Sequence, residues 1–156
     1  METMEEKMQS LLSCGIRCVI NLIEPDELDH EGQPFVDYVP VIKKLSIDGA
    51  PVDCRRMPIR NLEIPCRDFM VQILDCIDDA LGKNLPVYIH CWGGQGRTGT
   101  VVGCWLIRHG KKPPEALRQL RELYRDATQS LLAPQCPESD EQVKFILNWE
   151  DMPEYA

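Results

Sequence analysis

The chain has 156 residues, 44% hydrophobic and 27% charged, with a net charge of −8 and eight cysteines. That length suits a single domain, 1–156, with enough chain to bury a core. The acidic balance argues against nucleic acid or an anionic membrane as partner, since both need a basic face.

No stretch reaches the roughly 20 apolar residues of a membrane span. The opening METMEEKMQS is not a signal peptide, so a cytoplasmic protein is expected. Cys14 and Cys18 are four apart and the other six cysteines are scattered, with no C-x-x-C and only three histidines. A zinc site is therefore not expected. Cys18, Cys76 and Cys104 lie in apolar runs, where cysteine behaves as a small buried hydrophobe. A reducing compartment fits that usage.

In chain order, Glu2 to Cys14 is predicted helical, with Met4, Met8, Leu11 and Leu12 on one face and Gly15 as stop. Ile16 to Ile23 is a β-branched strand, broken by Glu24-Pro25-Asp26, and Asp26 to Pro34 is a polar loop. Asp37 to Leu45 reads as a short helix beginning near Pro40. Arg55 to Ile59 reads as a short strand running into a loop that ends at Pro65. Asp68 to Leu81 carries Phe69, Met70, Ile73, Leu74, Ile77 and Leu81 at helical spacing. Leu85 to Ile89 is a buried strand, and Thr98 to His109 is an apolar helix closed by Gly110. Pro113 to Tyr124 is a helix opened by prolines. Ser139 to Trp149 is the last, with Ser139 as N-cap and Gln142 completing a capping box. Alternating strands and helices predict an α/β layer domain: a central, mostly parallel sheet flanked by helices.

Between the strand ending at Ile89 and the helix starting at Thr98 runs His90-Cys91-Trp92-Gly93-Gly94-Gln95-Gly96-Arg97-Thr98-Gly99. A turn at a strand's C-terminal end and a helix's N-terminus converges backbone N–H groups and the helix dipole on an anion. Cys91 supplies a nucleophilic sulfur, and a helix N-terminus beside a guanidinium favours the thiolate form of a cysteine. Arg97 offers a planar fork for two phosphate oxygens. Gly93, Gly94 and Gly96 let the N–H groups of residues 92–96 turn inward as a nest, with Trp92 and Gln95 completing the loop. Thr98 can donate its hydroxyl to the sulfur, and His90 fixes the loop by hydrogen bonds. The expected chemistry is phosphoryl transfer to cysteine and then to water.

Gly94, Gly96 and Gly99 also spell G-x-G-x-x-G. A dinucleotide site would need an acidic residue about 20 positions on, after a further strand. The chain has a helix there, EALRQLRELY, and that reading leaves Cys91 and Arg97 unused. A sulfur-transfer or redox protein on the same C-x5-R frame would leave Arg97 poorly used.

His90-Cys91-x5-Arg97-Thr98-Gly99 resembles the phosphate-binding signature of the cysteine-dependent protein tyrosine phosphatases. With Pro58-Ile59 upstream, the chain is most similar to their dual-specificity branch and its kinase-associated and microbial relatives. The resemblance runs from about Ile16 to Trp149. It implies a phosphorylated protein as substrate, phosphotyrosine first and phosphoserine or phosphothreonine with a shallow pocket. It also implies phosphate, sulfate or vanadate as loop ligands, and no metal or organic cofactor.

Three positions bear on the outcome. Relatives carry Pro-Ile-x-Asp, whose aspartate protonates the leaving oxygen and then activates water, where this chain reads Pro58-Ile59-Arg60-Asn61. An amide can hydrogen-bond that oxygen but cannot give it a proton, and lost general acid–base help costs about 10²–10⁴ in rate. Asn61 is compatible with an introduced change, with a slow enzyme or a non-catalytic phosphopeptide-binding module, or with a substitute acid, Glu63 before Asp68 or Asp53. A later element, P-Q-T-x-x-Q, is matched by Gln142 but not by Glu138; its glutamines position the hydrolytic water, and for Gln142 a capping role is the competing reading. Relatives also place a strand or hairpin before the first helix, where this chain starts almost directly in it.

Overall fold

The computed structural model describes residues 1–46, 51–93, 95–128 and 135–150. These form an α/β fold with three parallel strands and, among the described residues, six helices. They fall into two packed units, one of residues 1–58 and 76–90, the other of residues 59–75 and 91–156.

The first unit holds the sheet. β1 (Cys18–Asn21) lies between β2 (Asp53–Arg56) and β3 (Val87–His90), and both pairings are parallel. The register sets Asn21 level with Arg56 on one side and His90 on the other. β1 is buried throughout except at Asn21, as its run of apolar residues requires. β2 departs from the expected span, beginning at Asp53 and stopping short of Ile59. The last ladder bond is Met57 N to Asn21 O, 2.8 Å, and Pro58 has no N–H to continue it.

Helix α1 (Met4–Ser13) starts at a capping box in which Thr3 and Glu6 bond each other's backbone N–H. Helix α2 (Val39–Leu45) has Pro40 in its first turn, where a missing N–H costs nothing. Leu12, Val19, Ile42 and Val52 form the unit's core cluster, joined by the half-buried Met8, Ile16 and Leu45.

Helix α3 (Arg67–Gly82) contributes its first half to one unit and its second half to the other. The second unit otherwise consists of α4 (Arg97–Arg108), α5 (Pro113–Thr128), α6 (Asp140–Leu147) and the loops around them. The three helices pack on one another. α4 and α6 come close at Gly103, where a Cβ would stand 2.6 Å from Ile146 Cδ1. Any larger residue there would push α6 from α4. Arg67 lies over the Trp149 ring, 4.6 Å from its centroid, a cation–π contact that fixes the segment after α6.

Five of the eight cysteines are buried, Cys18, Cys76 and Cys104 among them, whereas Cys14 and Cys66 are exposed. Burial pushes the Cys18 thiol up to about 11, so it is an inert hydrophobe at neutral pH. Among the described residues no helix is long and apolar enough to cross a membrane.

Candidate functional site

The strand β3 ends at His90 and the chain turns at once into α4, which begins at Arg97. Gly96 is the N-cap of α4, and no side chain caps the helix's first amides. Uncapped first-turn N–H groups carry the positive end of the helix dipole. Cys91 is buried at 8% exposure and Arg97 at 2%. A guanidinium so deeply buried needs acceptors, and one of its N–H groups donates to Ile59 O at 3.0 Å.

Thr98 has its hydroxyl oxygen buried with no hydrogen-bond partner among the described residues, so it is free for a group entering the loop. Thr100, a turn later, instead bonds Gly96 O at 2.7 Å and stiffens the helix start. Trp92 is half exposed and Gly93 has open space where a side chain would be. Gly94 lies outside the described residues. Gln95 ties the loop down on its far side: its Nε2 donates to Gln135 O at 2.7 Å, and Cys136 Sγ donates to its backbone oxygen at 3.2 Å.

His90 is held within the sheet unit. Its Nε2 is 2.7 Å from Tyr38 Oη, and its ring stacks on Tyr88 with centroids 5.7 Å apart. This suits a residue that sets the strand's end.

Asn61 sits on an exposed turn closed by Glu63 N donating to Arg60 O at 3.1 Å. The next residue, Leu62, has a φ of 67°, a conformation that costs a branched side chain on the order of 1–3 kcal/mol. Three side chains hold this turn by its carbonyls. Arg97 takes Ile59 O, Ser139 Oγ takes Leu62 O at 3.2 Å, and Gln142 Nε2 takes Glu63 O at 3.3 Å. The Asn61 segment is thus fastened to the buried arginine on one side and to the start of α6 on the other. Glu63 turns its carboxylate to Arg60, 3.9 Å away, with both side chains exposed.

Gln142 is fully buried, and its amide is engaged throughout. Its oxygen accepts from Glu138 N and Ser139 N, both at 3.1 Å, while its nitrogen reaches Glu63. The capping box expected at α6 is present.

Two neighbours of the loop, Cys136 and Glu138, were given no role by the sequence. Cys136 is 2% exposed, and a Cβ on Gly99 would stand 2.7 Å from its sulfur. Burial first, and then the nearby Cys91, pushes the Cys136 thiol up to about 12. Glu138 Oε2 lies 3.0 Å from where a Gly96 Cβ would be. For Glu138 the signal was present, as an acidic residue in a motif position that relatives fill with glutamine. For Cys136 there was none, because 45 residues separate it from Cys91.

A buried thiol and a buried guanidinium in one glycine-rich loop, with a free hydroxyl beside them, can seat a tetrahedral oxyanion and attack it. Residues 1–146 match the family model described as Swiss Army Knife protein, DSP-PTPase phosphatase domain. The chain is 28% identical over 103 residues to phosphatidylglycerophosphate phosphatase PTPMT1 of Arabidopsis thaliana, covering 53% of this chain and 31% of that protein. The crystal structure of Tk-PTP in its active form is similar with a TM-score of 0.69 at 26% identity, covering 94% of this chain and 84% of that one. Kinase associated phosphatase is similar in fold, with a TM-score of 0.73 at 19% identity over 91% of this chain and 72% of that one. The chain spans about half the length of the curated relatives it matches first.

Proposed function

Since this chain belongs to the DSP-PTPase family of cysteine phosphatases, we propose that it hydrolyses phosphomonoesters on a phosphoprotein, phosphotyrosine foremost, through a phosphocysteine intermediate. The observation that carries the reading is the buried Arg97, which follows Cys91 in the loop and bonds Ile59 O beside the Asn61 turn.

In this reading Arg97 and the N–H groups of residues 92–96 hold the three non-bridging oxygens of the phosphoryl group. Cys91 Sγ attacks phosphorus, the S–P bond forms, and the bond to the substrate oxygen breaks with its electron pair leaving on that oxygen. Asn61 can hydrogen-bond the departing oxygen but adds no proton. A phenolate tolerates that better than an alkoxide, which favours tyrosine over serine or threonine. Water then attacks phosphorus, the S–P bond breaks, and Thr98 donates its hydroxyl to the returning thiolate. The half-exposed Trp92 next to Cys91 offers an apolar surface to an aromatic ring. The net charge of −8 weighs against an anionic lipid surface. The same loop would take phosphate, sulfate or vanadate.

The test is phosphate release from a phosphotyrosine peptide by the chain, by Asn61→Asp and by Cys91→Ser. The expected order is Asn61→Asp about 10²-fold or more above the parent, with Cys91→Ser at background. Peptide held without any phosphate release would make this a binding module. Faster release from phosphatidylglycerophosphate than from the peptide would move the substrate to lipid.

A further inference from the structure

Two substitutions in this chain belong together. Asn61 stands where a carboxylate is expected, and Glu138 stands where an amide is expected. The structure sets the second against the phosphate-binding loop. A Cβ on Gly96 would lie 3.0 Å from Glu138 Oε2 and 3.1 Å from each amide atom of Gln142. Gly96 directly precedes Arg97, so this carboxylate lies against the last residue of the loop before the arginine. Its backbone is fixed there, because Glu138 N donates to Gln142 Oε1 at 3.1 Å and Gln142 is itself fully buried. Glu63, the other carboxylate near the turn, is directed at Arg60 and solvent.

We propose that Glu138 is the general base of the second chemical step, a catalytic role displaced from the 61 turn to the residue before the α6 cap. The proposal rests on the phosphatase reading above. Water attacks the phosphorus of phospho-Cys91, and its proton passes to the Glu138 carboxylate. The S–P bond breaks, its electron pair returns to Cys91 Sγ as thiolate, and inorganic phosphate leaves. The proton on Glu138 then goes to solvent, to which the side chain is open. No other reactant is needed. Asn61 remains the hydrogen-bond donor to the leaving oxygen in the first step, so the two steps draw on different loops.

A carboxylate beside a bound phosphate also repels it, and the arginine offsets that repulsion. Glutamine at 138 keeps shape and volume while removing both the base and the charge. Glu138→Gln should therefore slow turnover and tighten inhibition by vanadate or inorganic phosphate. A residue that served the fold alone would do neither.

The experiment is rapid-mix hydrolysis of p-nitrophenyl phosphate, whose leaving group departs without protonation, by the full chain, Glu138→Gln, Glu138→Gln with Asn61→Asp, and Cys91→Ser. Expected for Glu138→Gln is a burst of about one nitrophenolate per active site, then steady turnover lower by about 10²-fold or more. Phosphocysteine should accumulate, visible by mass spectrometry of the quenched protein, and Asn61→Asp should restore turnover. Equal steady rates and equal vanadate inhibition in the chain and Glu138→Gln, with Cys91→Ser inactive, would overturn the role of Glu138 and leave the phosphatase reading standing. If the chain and Cys91→Ser were equally silent, with no burst, the phosphatase reading itself would fail and the proposal with it.

Discussion

The sheet unit and the loop unit solve different problems. In the first, regular strands satisfy their backbone groups in a parallel ladder, and the side chains are left to fill volume around Val19 and Ile42. In the second, irregular segments bring carbonyls together that have no ladder to join. Side chains answer them one at a time: Arg97 to Ile59 O, Ser139 to Leu62 O, Gln142 to Glu63 O and Cys136 to Gln95 O. The carbonyl of Ile59 is buried, and leaving it unpaired costs as much as a lost hydrogen bond, while the other three ties fix loops that no ladder holds. The sheet unit should yield to lost volume, the loop unit to the loss of a single donor.

The sharpest test on the sheet side is Ile42→Ala, which empties a position with no exposure at all. Loss of about 2–5 kcal/mol is expected in chemical denaturation. A loss under about 1 kcal/mol would mean the cluster collapses around the gap and volume is not what holds that unit.

On the loop side Arg97→Lys keeps the charge and discards the fork. Turnover should fall about 10²–10³-fold, as for the loss of one oriented donor. Activity within threefold of the parent would show that a point charge suffices and that the tie to Ile59 O is dispensable.

The smallest change is Ser139→Ala. It removes the α6 cap and the bond to Leu62 O together, for about 1 kcal/mol. The telling readout is hydrogen exchange at residues 60–64, which should quicken while the β1 amides stay as they were. Unchanged exchange there would separate the cap from the turn and weaken the contrast between the two units.

Helices α1, α3, α4, α5 and α6 were legible from apolar spacing, glycine stops and caps, because these signals act within one or two turns of chain. β2 was misplaced at both ends, since a four-residue strand carries little periodicity and the stop at Pro58 depends on which neighbour it pairs with. The candidate loop could be read whole. Its sulfur, guanidinium, hydroxyl and glycines fall within nine consecutive residues at a strand–turn–helix junction.

What surrounds the loop was another matter. Glu63 and Gln142 meet across 79 positions, Leu62 and Ser139 across 77, Gln95 and Cys136 across 41. Nothing in local spacing says which distant carbonyl a side chain will find, because such partners are chosen when whole helices pack. For the same reason Gln142, a capping or water-positioning residue by its sequence, also ties down the Asn61 turn, and Glu138, by its sequence only a mismatch to a motif glutamine, lies against Gly96 of the phosphate loop. Residue types and local order set which chemistry this chain can attempt, and the packing of α6 against α4 decided which carboxylate comes near it.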